Sequence, residues 1–166
     1  MGLRYRAFEA RKPNTEYGRR VCAYLIAFDG NGRIPAVKVS RGYFLLGGGV
    51  EDGESHIDAI KRECLEEVGR DAYVGSIICM AERFHYMTRF DREMQVLAYF
   101  YRGSLLEQVS EPTEANHELV WLTPDECASK LFLVHQRWAV KCIVGDRERK
   151  RRQRKRRAEA KYGAPA

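Results

Sequence analysis

Apolar and polar positions fall into blocks along the chain. Val21 to Phe28 is a nearly unbroken apolar run of strand length, which fits a strand buried on both faces. Asp29-Gly30-Asn31-Gly32 has the chemistry of a turn between antiparallel strands, with Ile34 to Val39 as the return strand. Tyr43 to Leu46 reads as a third short strand ending in Gly47-Gly48-Gly49. Ser55, with Asp58 three residues later, is a helix N-terminal capping pattern, and Gly69 closes the helix. Ile57, Ile60, Cys64 and Val68 recur at helical intervals and predict its inner stripe. Further strands are expected from Ala72 to Arg83, Glu93 to Tyr101 and Glu118 to Leu122, the first two separated by a polar loop through Arg92. Pro124 to Leu131 predicts a short helix, and Val134, Trp138 and Cys142 predict the inner face of a last one. Residues 1–20, polar and basic with Pro13 and Gly18, read as an irregular arm. Strands interleaved with two main helices indicate an α/β (α+β) fold, a mixed sheet covered by helices on both faces.

At 166 residues the chain suits one domain, expected at 21–146 between the arm of 1–20 and a tail of 147–166. Hydrophobic residues make up 45%, enough to bury a core, so a disordered chain is excluded. No apolar run reaches the ~18 residues of a membrane helix, and the start has no signal-peptide pattern. A soluble, cytoplasmic protein without a membrane partner is therefore expected. Five cysteines without a C-x-x-C pair read as reduced core residues. The net charge of +6 suggests a nucleic-acid partner until it is located. Arg147 to Lys161 holds ten Lys/Arg against two Glu, a charge of +8, which leaves −2 for the rest. The basic character belongs to the tail, where Arg147–Arg157 fits a nucleic-acid partner, a nuclear address or a solvated extension alike.

Glu63, Glu66 and Glu67 stand at i, i+3 and i+4 of the central helix, so their carboxylates share one arc. Like charges this close call for a compensating cation, and magnesium suits an oxygen-only set. A solvated acidic face is the alternative. The surrounding residues discriminate: Gly48, five residues, Glu54, seven residues, then Arg62-Glu63-Cys64-Leu65-Glu66-Glu67-Val68-Gly69. Seven fixed positions of this kind coincide by chance on the order of once in 10⁸ starting points.

This pattern resembles the signature of the Nudix hydrolases, G-x5-E-x7-R-E-U-x-E-E-x-G-U, where U is aliphatic. Cys64 fills the first U, Arg70 stands at the last, and Leu46 stands where the family usually has proline. Strand order and Trp121-Leu122-Thr123-Pro124 extend the likeness over about residues 20–145. The resemblance implies a Nudix-type fold and Mg²⁺-dependent (or Mn²⁺-dependent) hydrolysis of a phosphoanhydride in a nucleoside diphosphate linked to a group X. It implies metal contact by the Gly47 carbonyl, Glu63, Glu67 and Glu66, the last directly or through water, and an orienting Arg62–Glu54 ion pair. The general base is implied to be a glutamate of the helix or of a loop before the late strand, where Glu111, Glu114 and Glu118 stand. Gly48 and Gly49 would approach the substrate.

Substrate signals are fainter. Family members for ADP-ribose resemble one another in a proline where this chain has Tyr86, and a tyrosine near there occurs in enzymes for dinucleoside polyphosphates. Tyr86 is thus a substrate-binding candidate, and nucleoside triphosphates and dinucleoside polyphosphates are the leading classes. An RNA-directed enzyme, a nucleotide-sensing module without catalysis, and a homodimer stay open as alternatives. His56, His85, His117 and His135 show no metal-ligand spacing, so structural or solvated roles are expected for them.

Overall fold

A computed structural model describes residues 2–162; Met1 and residues 163–166, the end of the expected tail, lie outside the described residues. The elements are β1 (Arg4–Phe8), β2 (Gly18–Ile26), β3 (Ile34–Val39), β4 (Gly42–Leu45), β5 (Gly47–Gly49), α1 (His56–Val68), β6 (Arg70–Met87), β7 (Arg92–Gln108), β8 (Glu118–Leu122), α2 (Pro124–Lys130) and α3 (Val134–Tyr162). They build a mixed five-stranded sheet in the order β1-β6-β7-β2-β5 and an antiparallel three-stranded sheet in the order β4-β3-β8.

The apolar run at Val21–Phe28 is explained by β2, which lies between β7 and β5 and is covered on both faces. Ala23, Leu25 and Ala27 pack with Ile60, Cys64 and Val68 of α1. The alternate residues Cys22, Tyr24 and Ile26 pack with Phe100, Leu122 and Ile143, under α3 and the small sheet. The expected mixed sheet between helices is present.

Several sequence expectations change. The turn at Asp29–Gly32 does not join paired strands: β2 and β3 belong to different sheets, and the turn carries the chain from one to the other. Asp29 holds it, its carboxylate accepting from the amides of Asn31 and Arg33 at 2.9 and 2.8 Å, which is local chemistry that a hairpin does not require. The expected irregular arm contains β1, paired in parallel with Cys79–Arg83 of β6. An edge strand needs ladder bonds more than apolar content, and β1 is also pinned from outside, Arg4 donating to the Cys142 carbonyl at 3.0 Å. The polar loop after Arg83 shrinks to a single turn at Thr88–Phe90, because Phe84–Met87 continue the ladder against Arg92–Gln95. Finally, Ile57 is 43% exposed, and the buried arc of α1 is Ala59, Ile60, Cys64, Glu67 and Val68; a carboxylate occupies part of the inner stripe.

α3 is buried through His135, Gln136, Ala139, Val140 and Ile143, about one position round from the predicted Val134-Trp138-Cys142 face, which is half-buried. Beyond Asp146 the helix continues into the basic stretch, and Arg147–Arg157 are exposed. Among the described residues no helix is long and apolar enough to cross a membrane.

Candidate active site

The site begins with the pleat of β5. In the antiparallel β2–β5 pair, the Leu25 amide bonds the Leu46 carbonyl and the Val50 amide bonds the Val21 carbonyl, so the odd-numbered residues of β2 and their partners face each other through hydrogen bonds. Gly47 and Gly49 are opposite Tyr24 and Cys22, the alternate positions, and their backbone groups point away from β2. That direction is toward α1: the Gly47 amide donates to Glu67 Oε2 at 3.1 Å, and the Gly49 carbonyl accepts from Arg62 Nη2 at 2.9 Å. A Cβ at Gly48 would collide with the Glu63 carboxylate, and one at Gly47, whose φ is +119°, with the Ala23 carbonyl. Three glycines let a strand edge and a helix face meet without intervening side chains.

α1 delivers the acids. Ser55 caps its start by accepting from the Asp58 amide, and Gly69, left-handed at φ +66°, ends it. Arg62 is the hub of the cluster. Its Nε and Nη2 hold Glu54 bidentately at 2.8 and 3.0 Å, while Nη1 reaches Glu63 at 3.2 Å and Glu66 at 3.1 Å. The Arg62 fork holds Glu54 below the usual carboxylate range.

The acids differ sharply in environment. Glu66 is the more open, with a side chain 41% exposed. Burial pushes Glu63 up, opposed by Arg62 and more weakly by Arg20. Glu67 is only 6% exposed; burial holds it well above the usual range, opposed by the Gly47 amide and reinforced by Glu63, Glu114 and Glu66. Among the described residues no three His, Cys, Asp or Glu side chains converge as a metal-holding group. The expected convergence is interrupted because Arg62 takes Glu63 and Glu66 while Glu67 turns to the Gly47 amide. The donors nevertheless fit a hard divalent cation: they are all oxygens, and a buried carboxylate with a single backbone donor beside three other acids lacks positive charge.

The segment after β7 folds over the end of α1, the amides of Thr113 and Glu114 both donating to the Glu66 carbonyl at 2.9 and 3.0 Å. This brings Glu114 to Glu67. Glu118, one of the proposed bases, is not brought in: it lies on β8 opposite Lys38 and pairs with it at 3.1 Å, its side chain 64% exposed. Register decides this, since the preceding loop turns inward before the ladder with β3 begins. Two residues not expected at the site are present: Arg20, which the sequence did not single out, and His117, expected to be structural or solvated. His117 places Nδ1 3.7 Å from Glu67 Oε1, and Arg20 lies against Gly49 and near Glu63. Arg20 could have been found from its phase, i and i+2 with Cys22 and Tyr24; His117 had no local signal.

Next to the glycines a cavity of about 540 Å³ opens between the two sheets, lined in part by Gly48, Gly49, Arg20, Arg41, Tyr86 and His135. Tyr86 is on its rim, 52% exposed, with its hydroxyl donating to Asp91.

Comparison with known proteins now decides the family. The family model for the NUDIX domain matches residues 18–141, well over half of the chain. The chain belongs to the Nudix family. As a Nudix protein it is a hydrolase of pyrophosphate bonds, and enzymes of the family generally use divalent metals. Solved structures with the same fold include a MutT protein from Methanosarcina mazei Go1, at 21% identity, TM-score 0.62, and coverage of 81% of this chain and 98% of that one. A NUDIX hydrolase from Nitrosomonas europaea shares 16% identity at TM-score 0.63, covering 78% of this chain and 90% of that one. An ADP-ribose pyrophosphatase from Streptococcus suis shares 17% identity at TM-score 0.55, covering 73% and 88%. A search of curated proteins found no match.

Proposed function

We propose that this Nudix enzyme hydrolyses a phosphoanhydride of a nucleoside triphosphate or dinucleoside polyphosphate with Mg²⁺ or Mn²⁺. The observation that carries the reading is the seam between β5 and α1, where outward-facing glycine backbone meets Glu63, Glu66 and Glu67 around Arg62. The Gly47 carbonyl, Glu63, Glu66 and Glu67 would hold the ion. When bound, it would neutralise phosphate charge and acidify the attacking water.

The chain's own residues supply the rest. Glu54 fixes Arg62, and Arg62 keeps Glu63 and Glu66 on the substrate side of α1. Gly48 and Gly49 leave room for phosphates against the strand edge. Glu114, beside Glu67, is better placed to accept the water's proton than Glu118, which pairs with Lys38 on β8. Turnover of a nucleotide panel with magnesium, followed by phosphate and pyrophosphate release, tests this. Cleavage that ceases with chelator while the circular dichroism spectrum stays unchanged is expected. Undiminished cleavage in chelator would overturn the assignment.

A second reading concerns nucleic acid. The exposed helix through Arg147–Arg157 presents its cations without an apolar face, which suits a phosphate backbone better than a bilayer.

A further inference from the structure

The cavity beside the glycines has a floor that the hydrolytic chemistry does not use. His135, the second residue of α3, is 2% exposed and lines this cavity, and neither of its ring nitrogens has a hydrogen-bond partner among the described residues. Its surroundings explain the lack: the rings of Phe8, Tyr24 and Phe100 lie 6.0–6.5 Å away by centroid. His85 lines the same cavity, with its buried Nδ1 also unpartnered. Burial, with Arg83 adding to it, keeps both imidazoles neutral near pH 7. A neutral imidazole offers one donor and one acceptor. Phosphate oxygens accept only, so an anion would leave half of each ring unmatched, whereas a nucleobase edge carries both kinds of group.

The rest of the cavity adds cations and apolar faces. Arg20, Arg41 and Arg89 line it and form no salt bridge among the described residues, while Arg83, the lining cation that acts on both imidazoles, is paired with Glu9. Phe44 and Phe132, ring centroids 5.5 Å apart, add apolar faces, the latter 55% exposed. A molecule that joins an anionic group to a flat, uncharged, polar one fits this lining of unpaired cations, aromatic faces and neutral imidazoles.

We propose that this cavity seats the base of a nucleotide substrate and that His135, with His85, is the specificity-determining residue that reads the base edge. The inference rests on the nucleotide-hydrolase reading above. The full-length protein, labelled with ¹⁵N at its four histidines, is titrated in magnesium with α,β-methylene triphosphates of the four bases and with inorganic triphosphate. The His135 and His85 ring signals are expected to move with at least one nucleotide and to stay in place with inorganic triphosphate. His135→Leu is expected to raise KM for the best nucleotide at least about tenfold, leave kcat within about threefold, and change the ranking of the bases. His85→Leu is measured in parallel, so that a folding failure at the more buried position leaves a variant to read. Nucleotides that bind and are cleaved while both signals stay still, or signals that move equally with inorganic triphosphate, overturn the base seat and leave the hydrolase intact. A wild type that neither binds nor cleaves any nucleotide overturns both.

Discussion

Replacing Glu67 by Gln separates chemistry from stability. The amide keeps the shape and can still accept the Gly47 N–H, so the 3.1 Å bond at the strand edge survives. What disappears is one negative charge among Glu63, Glu66 and Glu114. Turnover should fall at least about a hundredfold, equivalent to about 2.7 kcal/mol of barrier. Stability should move the other way. The i,i+4 repulsion with Glu63 costs ~0.2–0.5 kcal/mol on an exposed helix and more when buried, which corresponds to a Tm rise of at least about 0.4–2 °C for a chain of this size. The pH dependence has a definite sign. Burial holds Glu67 above its unfolded value, so the metal-free folded chain binds the extra proton between the two values, and stability falls as pH rises through the folded one. Below the unfolded value this contribution to the slope disappears. Thermal melts in chelator from pH 4 to 9, run beside initial rates at saturating magnesium, test all of this. Near-normal turnover would refute the metal-site assignment, and a Tm that falls by several degrees, or keeps its full pH slope, would refute the electrostatic account.

Gly48→Ala should cut turnover at least about tenfold with a smaller effect on Tm, because the new Cβ enters the space of the Glu63 carboxylate; unchanged kinetics would show that the seam is looser than described. Arg62→Lys should lower both turnover and Tm, the latter by about 4–8 °C if ~2 kcal/mol of bidentate bonding to Glu54 and support of Gly49 is lost, since an ammonium cannot reproduce the fork. Unchanged melting would refute the hub role. Deleting residues from Lys150 onward keeps Arg147 on the Phe28 ring at 3.8 Å and the Asp146 pair with Arg4, so small-nucleotide turnover should stay within about threefold. The same truncation should abolish salt-sensitive binding to RNA or DNA, read as the slope of affinity against salt, near −0.7 to −0.9 per phosphate neutralised. A full-length chain without such a slope would reduce the tail to a solvated extension.

Much of the site was legible before any coordinates because its parts are local. Helix spacing alone puts Glu63, Glu66 and Glu67 on one arc, a capping serine and a closing glycine bound the helix, and glycines before it announce a close backbone approach. Both buried faces of β2 were likewise written in its apolar run. Pairing was not, because a turn sequence specifies its own geometry and not the sheet the next strand joins; β2 and β3 part company for that reason, and polar β1 finds its place only where β6 offers an open edge. The finer assignments within the site depend on the same long-range terms. Arg62 reads as an orienting partner of Glu54, yet only the fold shows it dividing the carboxylates and holding Gly49. Glu114 and His117 reach Glu67 because their loop folds over the end of α1, and Glu118 is drawn away to Lys38 by the register of β8 on β3. His135 has no local signal at all: a histidine in an ordinary helix sequence becomes an unpartnered buried polar group only when Phe8, Tyr24 and Phe100, from three strands, close around it. Properties set by spacing along one element are carried by the sequence itself, whereas burial and pairing between distant elements exist only once the chain has packed.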